Sequence, residues 1–183
     1  LIAAKEEIAS PADLPGHSFG VGRVGSLDHS LSMMVLRANE VDVDAIEIVN
    51  LGQPNVRAQA LAAGQVDATT MSIGVWSSLP DTTGLKILVD QDAYYEAAPV
   101  VNKVNIVTTE TLETRGDEVE GVIRALVKIS RDVSENPTVW IDAMATALPH
   151  VERSTFETLA EAFKGSWSVN GGISAPELQY TQD

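Results

Sequence analysis

Between residues 19 and 89 the hydrophobic period switches repeatedly between two and 3.6, and this alternation restricts the fold more than any other feature of the chain. Residues 19–24 read as a short strand. Leu27, Leu31, Met34, Val35 and Ala38 then recur at helical spacing, so 27–39 reads as an amphipathic helix. Residues 46–49 form a second strand in this reading, and 54–63 a second helix closed by Gly64. A third strand at 66–71, a short helix at 73–79 and a strand at 85–89 follow. Strands alternating with helices over short connections predict an α/β fold, with a mostly parallel sheet and helices on both faces. Ligands of such sheets sit outside the carboxyl ends of the strands. Those ends are Gly25-Ser26, Asn50-Leu51-Gly52-Gln53 and Ser72-Ile73-Gly74, where small and amide side chains prevail.

The flanks read differently. Residues 1–15 are expected to be a connector, with Ser10 capping a helical turn that Pro11 opens. Residues 90–99 read as irregular, a hinge or crossover, and 103–109 as a strand rich in β-branched residues. Beyond this point only helices are predicted. A long one carries Val119, Val122, Ile123, Leu126, Val127 and Ile129 and stops before Asn136-Pro137. Others cover 139–147, 154–163 with Glu157 in a capping box, and 175–183. The chain thus divides into a connector (1–15), an α/β lobe (16–97) and a mainly helical part (98–183).

Charge and composition exclude several functions. Twelve Lys and Arg against 26 Asp and Glu give a net charge of -14, the opposite of a nucleic-acid footprint. With no cysteine there is no thiol nucleophile, disulfide or cysteine-bound zinc. His17, His29 and His150 lack metal-ligand spacing, so no metal or cofactor is expected, and no catalytic constellation emerges. No apolar run reaches the roughly 18 residues of a membrane span. Leu1-Ile2-Ala3-Ala4-Lys5 and Tyr180-Thr181-Gln182-Asp183 both read as interior sequence. Absence of a leader therefore does not argue for the cytoplasm.

The turn at Gly25-Ser26-Leu27-Asp28 is the first candidate site, because a strand leads directly into a helix N-terminus that favours negative charge. Ser26 or Asp28 as a simple N-cap explains it equally well. Asn50 and Gln53 fit turn chemistry or ligand hydrogen bonds. Ser72 lies at the third strand end. Trp76, Tyr94 and Tyr95 either line an aromatic wall or pack a core. Gly20-x-Gly22-x-x-Gly25 matches a dinucleotide fingerprint, but two of its glycines fall inside the strand, which favours coincidence.

Several segments, in order, resemble a known family. Ser10-Pro11-Ala12-Asp13-Leu14-Pro15-Gly16-His17-Ser18-Phe19-Gly20-Val21 is similar to the opening of a lobe in periplasmic solute-binding proteins. Arg57-Ala58-Gln59-Ala60-Leu61-Ala62-Ala63-Gly64-Gln65-Val66-Asp67-Ala68 is similar to another of their segments. Gly84-Leu85-Lys86-Ile87-Leu88-Val89-Asp90 resembles the strand that follows, and Ser134-Glu135-Asn136-Pro137 a helix end. The group is the NMT1-like, or SsuA/ThiY/TauA-like, binding proteins of ABC importers. The resemblance implies a type II periplasmic-binding fold, two lobes closing by a hinge, here a partial chain lacking most of the first lobe. It implies a monomer outside the cytoplasmic membrane, in the periplasm or on the extracellular face, that hands a small polar solute to a permease. Ligand contacts carried over by position are Gly25, Ser26, Leu27, Asp28, Asn50, Gln53, Ser72 and Trp76, with Tyr94 beside them. The solute the resemblance implies is of the sulfonate, taurine, nitrate or thiamine-precursor pyrimidine type; Asp28 departs from what a purely anion-binding member needs and leaves room for a pyrimidine or another solute with N–H donors. The alternatives are an enzyme of the thiamine-pyrimidine-synthase type, which the lack of cysteine disfavours, and the effector-binding domain of a transcription regulator.

Overall fold

The computed structural model describes residues 1–100, 104–172 and 174–182. The chain separates into two compact units, Leu1–Pro99 and Val100–Asp183.

The first unit is built on a five-stranded sheet: β1 (Ile2–Lys5), β2 (Ser18–Val21), β3 (Glu47–Asn50), β4 (Ala68–Thr70) and β5 (Leu85–Val89). Its order is β3-β2-β4-β1-β5. β2 runs parallel to β3, with Ser18 opposite Glu47, and parallel to β4, with Phe19 opposite Ala68. β1 is antiparallel to both of its neighbours, Ala3 facing Thr69 on β4 and Ile87 on β5. The alternation read from sequence is thus present, with one reversed strand added. Helices α1 (Leu27–Ala38), α2 (Pro54–Ala62), α3 (Ile73–Ser77) and α4 (Gln91–Ala97) follow β2, β3, β4 and β5 respectively.

Two expectations for this unit are corrected. Residues 2–5 are no connector. Ile2, Ala3 and Ala4 are fully buried in a central strand, their small and branched side chains fitting between helices and sheet. Residues 90–99 are not irregular either: Asp90 Oδ1 accepts from the Ala93 amide at 2.9 Å and starts α4.

One carboxylate ties the amino-terminal edge of the parallel strands. Asp67, just before β4, accepts from the Ser18 amide at 2.8 Å, the Ser18 hydroxyl at 2.7 Å and Lys5 Nζ at 2.6 Å. Burial pushes this carboxyl up, but the Lys5 and Ser18 hydrogen bonds outweigh it and hold the pKa far below the usual carboxylate range. Packing does the rest. Leu1, Ala3, Ala58, Ala60, Leu61, Val66 and Met71 form one buried cluster, against which Trp76 packs.

The second unit is helical: α5 (Thr109–Thr114), α6 (Gly116–Glu135), α7 (Thr138–Ala147), α8 (Arg153–Ala162) and α9 (Ala175–Gln182). α7 and α8 enclose a small core of Ile141, Phe156 and Ala160. Trp140 meets Phe156, Phe163 and Trp167 edge-on, with ring centroids 6.1, 6.2 and 6.3 Å away. The strand expected at 103–109 is not found among the described residues. Lys103 lies outside them, residues 104–108 have no strand partner, and Thr108 caps α5. β-branched residues make a strand only when a neighbour completes the ladder; here Ile106 is 85% exposed. The capping box at Ser154 is also absent: Glu152 is the N-cap, and Glu157 pairs with Arg153 at 3.3 Å.

Replacing Asp67 with Ala should cost about 1–3 kcal/mol, since it strands the Ser18 donors and Lys5. The pKa is lower folded than unfolded. The contribution is therefore complete above the unfolded value of about 4 and is lost as pH falls toward the native value. Urea midpoints of wild type and D67A should differ at pH 7, and the gap should narrow in acid.

Candidate functional site

β2, β3 and β4 each end in a turn that leads straight into a helix, so the candidate residues gather at one edge of the sheet. Gly25 has φ +81°, which suits a residue without Cβ, and it reverses the chain after β2. Ser26 is the backbone N-cap of α1, yet its hydroxyl does not cap. It lies 2.6 Å from Asp28 Oδ1 and 2.5 Å from the Arg23 carbonyl oxygen. One proton serves one of these at a time, and the charged carboxylate is the stronger acceptor.

The Asp28 carboxylate stays at the start of α1, where its own amide donates to it. Its Oδ2 accepts from the Gly22 amide at 2.7 Å and lies 3.5 Å from Arg57 Nη1. Burial pushes the Asp28 carboxyl up; Ser26, Gly22 and the Arg57 charge outweigh this and hold it below its usual range. Gly22 is required by contact: a Cβ there would sit 3.0 Å from Asp28 Oδ1 and 3.3 Å from Arg57 Nη1. At Gly20 a Cβ would press on Leu51 and Thr69 at 3.1 and 3.2 Å. Each glycine of the apparent fingerprint has its own local reason.

Arg57, on α2, is only 4% exposed. Nη1 donates to the Gly52 carbonyl at 2.6 Å and Nη2 to the Thr70 carbonyl at 3.2 Å. Nε is buried without a partner among the described residues. Burial pulls the Arg57 pKa down, against the pull of Asp28 and Tyr94; a guanidinium remains charged all the same. Tyr94, on α4, brings its hydroxyl to those of Ser32 and Thr70, and burial pushes its pKa up.

The remaining candidates surround this cluster. Asn50 Oδ1 accepts from the Val24 amide at 2.8 Å, so Asn50 braces the β2 turn. Gln53 is the exposed N-cap of α2, and its side chain does not cap. Ser72 caps α3, its Oγ accepting from the Val75 amide at 3.2 Å. Leu27 is exposed. Trp76 belongs to the packing of the first unit, so the core reading fits it. The Ser26 amide donates to the Arg23 carbonyl at 3.0 Å and is therefore not open to a ligand.

The structure therefore brings Ser26, Asp28 and Tyr94 into one polar cluster and places Gly25, Leu27, Asn50, Gln53 and Ser72 on the turns around it. Sequence reading missed Arg57, Gly22, Ser32 and Thr70. Arg57 did leave a signal: it shares the i, i+3, i+4 face of α2 with buried Ala60 and Leu61. A charge on an apolar face asks for a partner.

Gly22→Ala should shift the Asp28 carboxylate by a few tenths of an ångström and destabilise the first unit by about 1 kcal/mol. Thermal melts measure the loss, and a crystal structure of the variant should show Asp28 displaced.

Comparison with known proteins places the chain. A family model described as NMT1/THI5 like matches residues 1–139. The aliphatic sulphonate binding protein SsuA of Escherichia coli superposes with a TM-score of 0.69 at 20% identity, covering 88% of this chain and 51% of that one. The alkanesulfonate-binding SsuA of Xanthomonas axonopodis pv. citri, bound to MOPS, gives 0.63 at 21%, covering 87% and 54%. A protein from Archaeoglobus fulgidus gives 0.58 at 18%, covering 100% and 64%. No curated protein matches. The fold is that of periplasmic binding proteins, in a partial chain that spans about half the length of the first two solved relatives. With its model matching some three quarters of the residues, the chain belongs to the NMT1/THI5-like family.

Proposed function

We propose that this chain is part of a solute-binding protein of an ABC importer, without catalysis, that captures a small polar solute and delivers it to a permease. In this reading the second lobe, expected at 16–97, also takes in β1, and 98–183 are the returning part of the first. The solute sits against Gly25, Ser26, Leu27, Asp28, Asn50, Gln53 and Ser72, with Tyr94 and Trp76 behind. The protein works as a monomer in the periplasm or on the outer face of the membrane. Among the described residues no helix is long and apolar enough to cross a membrane.

The observation that carries the reading is the alignment of three strand ends with three helix starts, at Ser26, Gln53 and Ser72. α1 and α2 direct the positive ends of their dipoles to that edge. Small and amide side chains there leave room for a ligand and offer donors to it. Solved relatives of the same fold are named for binding sulphonates, which suits such an edge.

A thermal-shift panel of alkanesulfonates, taurine, nitrate, hydroxymethylpyrimidine and amino acids tests this on the intact protein. A ligand at about 100 times its Kd adds roughly 2.7 kcal/mol of stability. A clear rise for one class, with no turnover of that solute, supports the reading. Turnover would move the protein to the enzyme class. Ser26→Leu and Asn50→Leu should each weaken binding of the hit at least tenfold by calorimetry. Each variant should stay folded, at a cost of about 1 kcal/mol for the hydrogen bond it loses.

A further inference from the structure

We infer that Arg57 determines the charge specificity of this strand-end site: from behind, it neutralises Asp28 so that the site takes an anionic group. The inference rests on the solute-binding reading and deepens it.

Asp28 is the only carboxylate among the residues assigned to the site, and in an unpaired state it would repel an anion at the start of α1. The structure shows it paired, at the start of α1, where its own amide also donates to it. Its two oxygens face the Ser26 hydroxyl, the Gly22 amide and the Arg57 guanidinium. Three donors directed at one carboxylate leave it little capacity to act on a solute, and the guanidinium cancels its charge.

The position of Arg57 separates this role from direct ligand contact. At 4% exposure the side chain is too enclosed to meet a solute. It reaches Gly52, in the turn after β3, and Thr70, the last residue of β4, while pairing with Asp28 after β2. Arg57 is therefore a positioning residue that fixes three strand ends at once. Hydrogen bonding to two carbonyls alone does not require a charge, and a neutral amide could do it. A buried guanidinium whose Nε has no partner among the described residues is costly, so it persists for what only a cation supplies. That is compensation of Asp28. The chain carries a net charge of -14, and the long-range field therefore gives an anion no help. Local neutrality at the turn is then what allows the dipoles of α1 and α2 to act.

The test is calorimetry with ethanesulfonate on the intact protein, comparing wild type with R57Q, D28N and the double variant D28N/R57Q. R57Q leaves a bare carboxylate and should weaken ethanesulfonate at least tenfold. The double variant restores neutrality and should recover to within about threefold of wild type. A structural role alone predicts no recovery, so a double variant as weak as R57Q overturns the assignment, as does an R57Q protein that binds like wild type. If R57Q does not fold, D28N decides: it keeps the cation and should bind ethanesulfonate more tightly, and unchanged or weaker binding overturns the assignment. A wild-type protein that binds a neutral solute but no anion overturns this inference alone. One that binds no solute of the panel overturns the transport reading with it.

Discussion

A guanidinium under the carboxyl ends of β2, β3 and β4 is the constraint on which the arrangement of the first unit turns. Burying a charge costs several kcal/mol unless partners replace its water. Arg57 finds them in the Gly52 and Thr70 carbonyls and in Asp28, each from a different strand end. Because the partners are far apart in sequence, the side chain can be satisfied only when β3, β4 and the start of α1 have converged. The same bonds that repay the burial of Arg57 therefore assemble the edge where a solute would sit. Gly22 belongs to this economy of space, since even a methyl group would collide with the ion pair.

The opposite edge of the sheet uses the same device with its sign reversed. There a carboxylate, Asp67, is the hub, and Lys5 with Ser18 supplies the donors. Parallel strands joined by crossovers have no hairpin to fix their register. Two polar hubs, one at each end of β2 and β4, hold the strands from slipping while the apolar core sets only their packing. β1 is drawn into both. It brings Lys5 to the Asp67 end, and its first neighbour, Leu1, accepts from the Thr70 hydroxyl at 3.1 Å near the Arg57 end. This explains why a four-residue strand read as a connector is central: its hydrogen bonds close both hubs.

Where local periodicity decided structure, the sequence was legible. β5 and α1 to α3 lie within a few residues of their expected bounds, because amphipathic spacing and the caps agree there. Tertiary partnership was the part that could not be read locally. Ile2-Ala3-Ala4-Lys5 is too short and too bland to declare itself a strand until β4 and β5 flank it. Val104 to Val107 has strand composition and no ladder. Asp90 is itself a readable N-cap, and it starts α4. At the site, the turns were visible as small residues after apolar runs. Arg57 was readable as a charge on an apolar helix face, but its partners were hidden, because two backbone carbonyls and a carboxylate on another element are revealed by no spacing rule.

The second unit shows the same principle from the other side. α6 carries one of the clearest amphipathic patterns in the chain, yet Val122, Ile123, Leu126 and Ile129 all lie half or more exposed, or close to it. Its polar face is well served, with Arg115 to Glu118 and Lys128 to Asp132 paired along the helix, exposed contacts that water and salt screen. Full burial of four such apolar side chains is worth about 1.5–3 kcal/mol apiece, far more than the ion pairs supply. The pattern of α6 is therefore written for a larger hydrophobic core than the described residues build. This agrees with a chain that spans about half the length of its first solved relatives. A sequence encodes the faces of the whole fold, and a part of that fold displays them whether or not their partners are present. That is why the family remained readable in a partial chain: its segments keep the pattern of the core they serve, and pattern survives where packing is incomplete.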